Sequence, residues 1–327
     1  MVSLIMRRAL LIGIDDYYNA ARLTGCAADA SQMSALLERN EDGTLNFDCR
    51  LFTSRTSDRP INRHFIRDVW QRLFRNFTGD ILFYYSGHGS LHETGCYLVL
   101  QDGTFTDPGI SILELLQLAN QSKAREVTLI LDCCFASKPG ASVTRVETDL
   151  VNYAQLREGL TILAASSPDG VAEEKDGCGV FTSLVMHALA GGAADIRGYV
   201  SVASIYTFVD QALGAWDQRP LFISHLNRLH PIRRCKPSIA DTLLMELPLL
   251  FSTPDSRYRL NPSYEFTHKL AKKEKVDIFN KFKLYRDVRL LRTVSGDDLY
   301  FTALKSKYVE LTSLGKFYWQ LAKEKRL

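Results

Sequence analysis

The chain has no apolar run that approaches the ~20 consecutive residues needed to span a bilayer, which excludes a membrane-spanning helical protein. It has no Cys-x-x-Cys pair and no Cys/His cluster, so the common zinc sites are excluded and no metal is expected. Cysteine is scarce and odd in number, 7 in 327 residues. The apolar opening MVSLIMRRALLIGI is broken by Arg7 and Arg8 and lacks a small-residue cleavage pattern, so it reads as a first strand and not a secretory leader. Unpaired thiols without a leader point to a reducing cytoplasm. There is no internal repeat and no low-complexity tract. A hydrophobic share of 46% and a charged share of 24% are those of a globular protein, which excludes a disordered chain, a coiled coil and a collagen-like fibre.

A large excess of one sign of charge is missing as well: 40 Lys and Arg face 37 Asp and Glu, a net charge of only +3. It is unevenly spread. Residues 263–327 hold 15 Lys and Arg against 8 Asp and Glu, a net of +7, and the preceding 262 residues a net of −4. A mildly acidic body followed by a basic segment suggests two parts with different partners.

What is present is alternation of strands and helices. Arg8–Ile14, Asp80–Tyr85 and Glu126–Leu131 are continuous apolar runs of the kind buried on both faces of a parallel sheet. Asp48–Thr53, Leu160–Ala164 and Pro220–Ile223 read as further strands. Between them, Ala28–Arg39, Pro60–Phe77, Ser111–Gln121, Val180–Ala190 and Val202–Leu213 read as amphipathic helices. The expectation is an α/β fold with a mostly parallel six-stranded sheet covered on both faces, over residues 1–236. Four prolines between Cys235 and Pro262 suggest a linker over 237–262. Residues 263–327 then form a small α-rich module. Its ending resembles the close of a winged-helix domain, with a wing strand over Tyr308–Leu311 and then a helix capped by Thr312 that carries Leu314, Phe317, Tyr318 and Leu321; the same pattern also suits a helical lid packed on the body.

Ligands of parallel α/β sheets bind beyond the carboxyl ends of the strands. The third strand ends in Ser86-Gly87-His88-Gly89 and the fourth in Asp132-Cys133-Cys134. A thiol near an imidazole makes a thiolate nucleophile near neutral pH. Glycines beside it allow backbone N–H groups to face an oxyanion.

YYSGHGS (Tyr84–Ser90) and LILDCCFAS (Leu129–Ser137) resemble the His and Cys motifs of the caspase–metacaspase clan of cysteine peptidases. RALLIGIDDY, LTGCAADA (Leu23–Ala30), LTILAASSPDGVAEE and GVFTSLVMHAL fit the same clan in order and spacing, over residues 7–225, closest to its prokaryotic members, the orthocaspases. The resemblance implies a three-layer sandwich, peptide-bond cleavage by a Cys-His dyad and no cofactor. It makes His88 the general base. It makes Cys134, two residues after the acid, the nucleophile in preference to Cys133, which reads as a small buried hydrophobe. The N–H groups of Gly89 and Cys134 would form the oxyanion hole. Asp29, Ser86 and Asp132 match the pocket for the residue before the cut, with Cys26 as a neighbouring thiol, and this acid-lined pocket implies cleavage after Arg, then Lys. Family members often cut themselves between the fourth and fifth strands, where Lys138, Arg145 and Arg157 are the basic candidates.

Two departures from the family pattern stand out. Phe135 follows the nucleophile where metacaspases carry His. The stretch GISILEL lacks the acid pair of calcium-dependent members, so calcium-independent activity is expected. Expected partners are protein substrates and an activating or recruiting partner of residues 263–327. Nucleic acid is disfavoured because +7 is modest for such a module, and no membrane is expected. The alternative function is a catalytically silent caspase-like scaffold or regulator that acts through its C-terminal module.

Overall fold

The computed structural model describes residues 6–55, 57, 59–92, 95–133, 156–165, 174, 175, 178–213 and 220–327. They form two compact units, Met1–Ala194 with Tyr199–Cys235, and Asp195–Gly198 with Lys236–Leu327.

The first unit is built on β1 (Arg7–Gly13), β2 (Asp48–Thr53) and β3 (Asp80–Ser86). A small antiparallel sheet of β4 (Gly89–His92), β5 (Gly95–Val99) and β6 (Gly109–Ser111) follows, and then β7 (Glu126–Asp132) and β8 (Leu160–Ala164). Later come the two-residue strands β9 (Glu174–Lys175) and β10 (Cys178–Gly179), then β11 (Tyr199–Ser201), β12 (Leu221–His225) and β13 (Pro231–Arg234). The main sheet has six strands in the order β12-β8-β7-β3-β1-β2. Its pairs are parallel except that β12 runs antiparallel to β8 at the edge.

Helices cover both faces because alternate residues of the central strands point to opposite sides. On one face Leu129, Leu131 and Cys133 share a core with Ile66, Trp70, Leu115 and Leu116 of α2 (Arg63–Phe74) and α3 (Ile112–Gln121). On the other, Leu82, Tyr84 and Ile130 pack with Met33, Val185, Ile205 and Val209 of α1 (Cys26–Glu38), α4 (Val180–His187) and α5 (Val202–Ala212). This is the three-layer α/β arrangement expected.

Element ends differ from the expectation for local reasons. Helix α2 starts at Arg63 and not at Pro60, because Asn62 caps it, its side chain accepting from the Phe65 N–H. It ends at Phe74, near Asn76 in the left-handed region at φ 52°. Helix α4 stops at His187, where a π-turn over Ala188–Gly192 replaces the expected last turn.

In the second unit, α6 (Asp241–Leu244), α7 (Leu247–Leu250) and β14 (Arg257–Arg259) precede α8 (Lys273–Asp287), β15 (Leu291–Thr293), α9 (Leu299–Leu304), β16 (Tyr308–Leu311) and α10 (Ser313–Lys323). Its three strands form an antiparallel sheet in the order β14-β16-β15. The stretch 237–262, expected as a linker, is part of this unit. Leu244, Leu247, Phe251 and Leu260 lie in its core with Phe279, Phe282 and Trp319, and the Trp319 indole N–H donates to the Phe251 carbonyl at 2.8 Å. The prolines mislead because Pro248 and Pro262 occupy first turns of short helices, where a missing N–H costs nothing. The expected strand Tyr308–Leu311 is present, and Thr312 caps α10 by accepting from the Gly315 N–H. Along α10, Tyr318 and Trp319 are buried, while Leu314 and Phe317 are exposed.

Candidate active site

Parallel register brings the ends of three strands together: Gly13 pairs with Ser86, and Ser86 with Asp132. Beyond this row the chain leaves β3 through Gly87 and His88. Gly87 has no room for a side chain, since a Cβ there would lie 2.6 Å from the Tyr17 hydroxyl and 2.7 Å from that of Tyr85. Those phenols hold the His88 backbone. The His88 N–H donates to the Tyr17 hydroxyl at 2.8 Å, and the Tyr85 hydroxyl is shared between the Val99 carbonyl at 2.6 Å and the His88 carbonyl at 3.0 Å. The Tyr17 and His88 rings pack at a centroid distance of 4.8 Å.

The imidazole is oriented by the loop after β1. Nε2 of His88 lies 2.7 Å from the Ala21 carbonyl. A carbonyl only accepts, so Nε2 carries the proton in this contact and Nδ1 of the neutral ring is left with its lone pair, as a general base requires. The loop is itself anchored. The Asp15 and Asp16 N–H groups donate to the Ser54 hydroxyl, and buried Asp15 pairs with Arg55 at 2.8 Å.

Asp29, Ser86, Asp132 and Cys26, predicted separately from three stretches of sequence, lie together. Asp29 is buried in the first turn of α1. Its Oδ2 accepts from the Gly179 N–H at 3.1 Å. A Cβ on Gly179 would sit 2.7 Å from Asp132 Oδ2 and 3.5 Å from Asp29 Oδ2, so one α-carbon lies beside both carboxylates. The Thr182 hydroxyl donates to Asp132 Oδ2. Burial pushes the Cys26 thiol up to about 12. A hydrogen bond with Ser86 opposes this, and the Asp132, Asp15 and Asp29 charges add to it. Two carboxylates, a serine and a protonated thiol are thus held close together beyond the strand ends.

Cys133 is 2% exposed in the core shared with α2 and α3, which agrees with its reading as a small hydrophobe. Cys134, Phe135, Lys138 and Arg145 lie outside the described residues. Gly89 opens β4 and pairs with Leu98. Arg157 does not suit a cut site. Its guanidinium donates to the carbonyls of Ala119, Glu158 and Ala124 at 3.0, 2.8 and 2.7 Å, and its N–H to Asn120 Oδ1 at 3.0 Å. A scissile Arg must give up such bonds to enter a pocket. It also lies just before β8, where a cavity of about 550 Å³ lined by Arg125, Glu126, Arg157, Arg228 and His230 opens at the far end of the strands from Asp132.

Nothing in the sequence singles out Tyr17, Ala21, Gly179 or Thr182. Gly179 and Thr182 fall inside GVFTSLVMHAL, but nothing local says that their partners are 150 and 50 positions away. Among the described residues no group of three or more His, Cys, Asp and Glu is placed to hold a metal ion.

The family model of the caspase domain, a peptidase family, matches residues 6–230. Metacaspase-2 and Metacaspase-3 of Trypanosoma brucei brucei are each 36% identical over 88 residues, 25% of this chain and 25% and 24% of theirs. The chain thus matches about a quarter of the length of these curated relatives. Among solved structures, a Geobacter sulfurreducens protein has a TM-score of 0.51 at 16% identity, covering 71% of this chain and 98% of its own. Caspase-1 from Spodoptera frugiperda has a TM-score of 0.50 at 16% identity, covering 72% of this chain and 92% of its own.

Proposed function

Since the chain belongs to the caspase-domain family, we propose that it is a cysteine-type endopeptidase that cleaves after Arg and, less well, after Lys. The observation that carries the reading is the meeting of Asp29 and Asp132 at Gly179, at the strand ends from which His88 departs. In this reading Cys134 is the nucleophile. His88 takes its proton, the thiolate attacks the scissile carbonyl, and the N–H groups of Gly89 and Cys134 receive the oxyanion. His88 then protonates the leaving amine, and water, activated by the same imidazole, releases the acyl-enzyme.

Specificity follows from charge. An Asp-cutting enzyme needs Arg donors around the substrate carboxylate, whereas here two carboxylates meet. The planar guanidinium fork bridges two acids, and a lysine ammonium acts as a point charge, so Arg exceeds Lys. The reaction needs no cofactor. Because GISILEL lacks the acid pair, activity is expected to survive EGTA; loss of cleavage restored only by calcium would contradict this.

The second unit is read as a winged-helix-like recruiting module for an activating partner. A short peptidase with such a module, working in the cytoplasm, fits a bacterial stress, cell-death or antiviral-defence system.

The test is a fluorogenic peptide panel with Asp, Lys and Arg before the cut. Wild type should cleave the Arg and Lys members. Cys134→Ala and His88→Ala should each remove cleavage while keeping the melting temperature. Asp132→Ala should lose most activity on Arg peptides and Asp29→Ala somewhat less. Efficient cleavage after Asp would refute the reading.

A further inference from the structure

Resting on the reading of Asp29 and Asp132 as the acids that receive the substrate's basic side chain, we infer that Thr182 is a positioning residue that aims the Asp132 carboxylate and thereby sets the preference for Arg over Lys.

Thr182 is fully buried in the first turn of α4. Its hydroxyl donates to Asp132 Oδ2, and the Tyr84 hydroxyl lies 2.7 Å from the same Thr182 oxygen. The direction of this relay is forced. A hydroxyl has one proton, and Thr182 directs it to a carboxylate that only accepts, so Tyr84 must be the donor to Thr182. Tyr84 is suited to that task. Its burial, and then the charges of Asp132 and Asp29, push its pKa well above the ordinary tyrosine value and keep it protonated. Each donor in such a chain polarises the next, which strengthens the hydrogen bond that reaches the carboxylate.

The same turn holds the second acid, since the Gly179 N–H donates to Asp29 Oδ2. Both carboxylates are therefore fixed by the start of one helix. The positive end of its dipole faces both acids. A Cβ on Gly179 would meet Asp132 Oδ2 at 2.7 Å and push that carboxylate aside.

Fixed orientation matters unequally to the two substrates. A guanidinium fork makes paired bonds in a plane and gains only if both acids are correctly turned. An ammonium needs negative charge nearby and tolerates a rotated carboxylate. Removing the Thr182 donor should therefore penalise Arg more than Lys.

The experiment compares wild type, Thr182→Val and Thr182→Ser on Arg and Lys fluorogenic peptides. The affinity of each protein for peptide aldehydes ending in Arg or Lys gives a readout that does not depend on turnover. Thr182→Val should raise KM and aldehyde Kd for Arg about tenfold, the order of one hydrogen bond to a charged group. It should leave kcat within about twofold and bring the Arg-to-Lys ratio close to one. Thr182→Ser, which keeps the hydroxyl, should restore the ratio. An unchanged ratio in folded Thr182→Val, or an equal loss of kcat on both substrates at unchanged KM, would overturn the inference. If Thr182→Val does not fold, Tyr84→Phe carries the test through a smaller fall in the same ratio, and no fall overturns it. Asp132→Ala separates the two levels. Arg preference retained in that variant overturns the acid-pocket reading itself. Arg preference lost there but kept in Thr182→Val overturns only the role of Thr182.

Discussion

The Cys26 thiol, pushed up to about 12 chiefly by burial, stays protonated at neutral pH. Burial and the nearby Glu38 charge raise Cys49 to about 12 against a hydrogen bond from Ser34, and burial raises Cys235 as well. Cys133 is shut in the core. A nucleophile must be both accessible and ionisable, so none of these four is suited to the role. Brief exposure to iodoacetamide at pH 7 should alkylate Cys134 and leave Cys26, Cys49, Cys133 and Cys235 intact, as read by peptide mapping. Preferential labelling of Cys133 would reverse the assignment of the nucleophile. Tyr17 belongs to the same scale. Tyr17→Phe keeps the ring against His88 but removes the acceptor of its backbone N–H. It should lower kcat about tenfold with KM nearly unchanged, since about 1–3 kcal/mol follows from a buried donor left unsatisfied. An equal rise in KM would show that the hydroxyl serves binding and not the histidine.

Among the elements, β8 and its lead-in limit where the chain can cut itself. Arg157 is tied to the carbonyls that close α3 and precede β7. Self-cleavage should occur after Lys138 or Arg145, and intact-mass analysis should still find it in Arg157→Ala. That variant should instead lose about 1–3 kcal/mol of stability, read as a lower melting temperature, because several carbonyl acceptors lose a charged donor. A fragment ending at Arg157 would contradict the argument. The elements also differ in how far they could be read in advance. The bounds Asp48–Thr53 and Leu160–Ala164 agree between sequence and structure, and β1, β3 and β7 agree to within a residue at each end. Continuous apolar runs leave little choice of state. The β4-β5-β6 sheet was not legible. In GSLHETGCYLV the apolar residues do not alternate regularly, every residue of β4 is half-buried, and the pairing is decided by partners on β5 and β6.

At the scale of the whole molecule, each unit has its own core, which sets where the chain can be divided. Truncation after Cys235 should give a monodisperse protein that cleaves small Arg peptides. Truncation after Pro262 should aggregate, because Leu244, Leu247, Phe251 and Leu260 would lose their cover. Size-exclusion chromatography distinguishes these outcomes, and a well-behaved 1–262 fragment would restore the linker reading. The far end of the sheet gives the molecule a pH dependence. Burial, then the charge of Asp80, raises Glu126 from 4.5 to about 7, against Arg125, the His230 N–H and Arg7. A carboxyl raised on folding contributes stability that is present below its unfolded value and lost as pH climbs through about 7. Glu126→Gln should therefore melt higher than wild type at pH 8 and close to it at pH 5. A gap of equal size at both values would show that ionisation of Glu126 is not the cause.

The sequence by itself determined the class of fold and the order in which the motif-bearing segments follow one another. Apolar periodicity is a local property, and Ser86-Gly87-His88-Gly89 and Asp132-Cys133-Cys134 stand at strand ends that periodicity places. Tertiary structure alone decided which side chains serve those residues. Tyr17 and the Ala21 carbonyl reach His88 across 71 and 67 positions, Gly179 reaches Asp29 across 150, and Arg157 is withdrawn by carbonyls 33–38 positions away. It also assigned 237–262 to a core, where prolines alone suggested a linker. Hydrogen bonds between distant segments leave no periodic trace in a single sequence, because their geometry exists only after the sheet has set the register that brings the segments together.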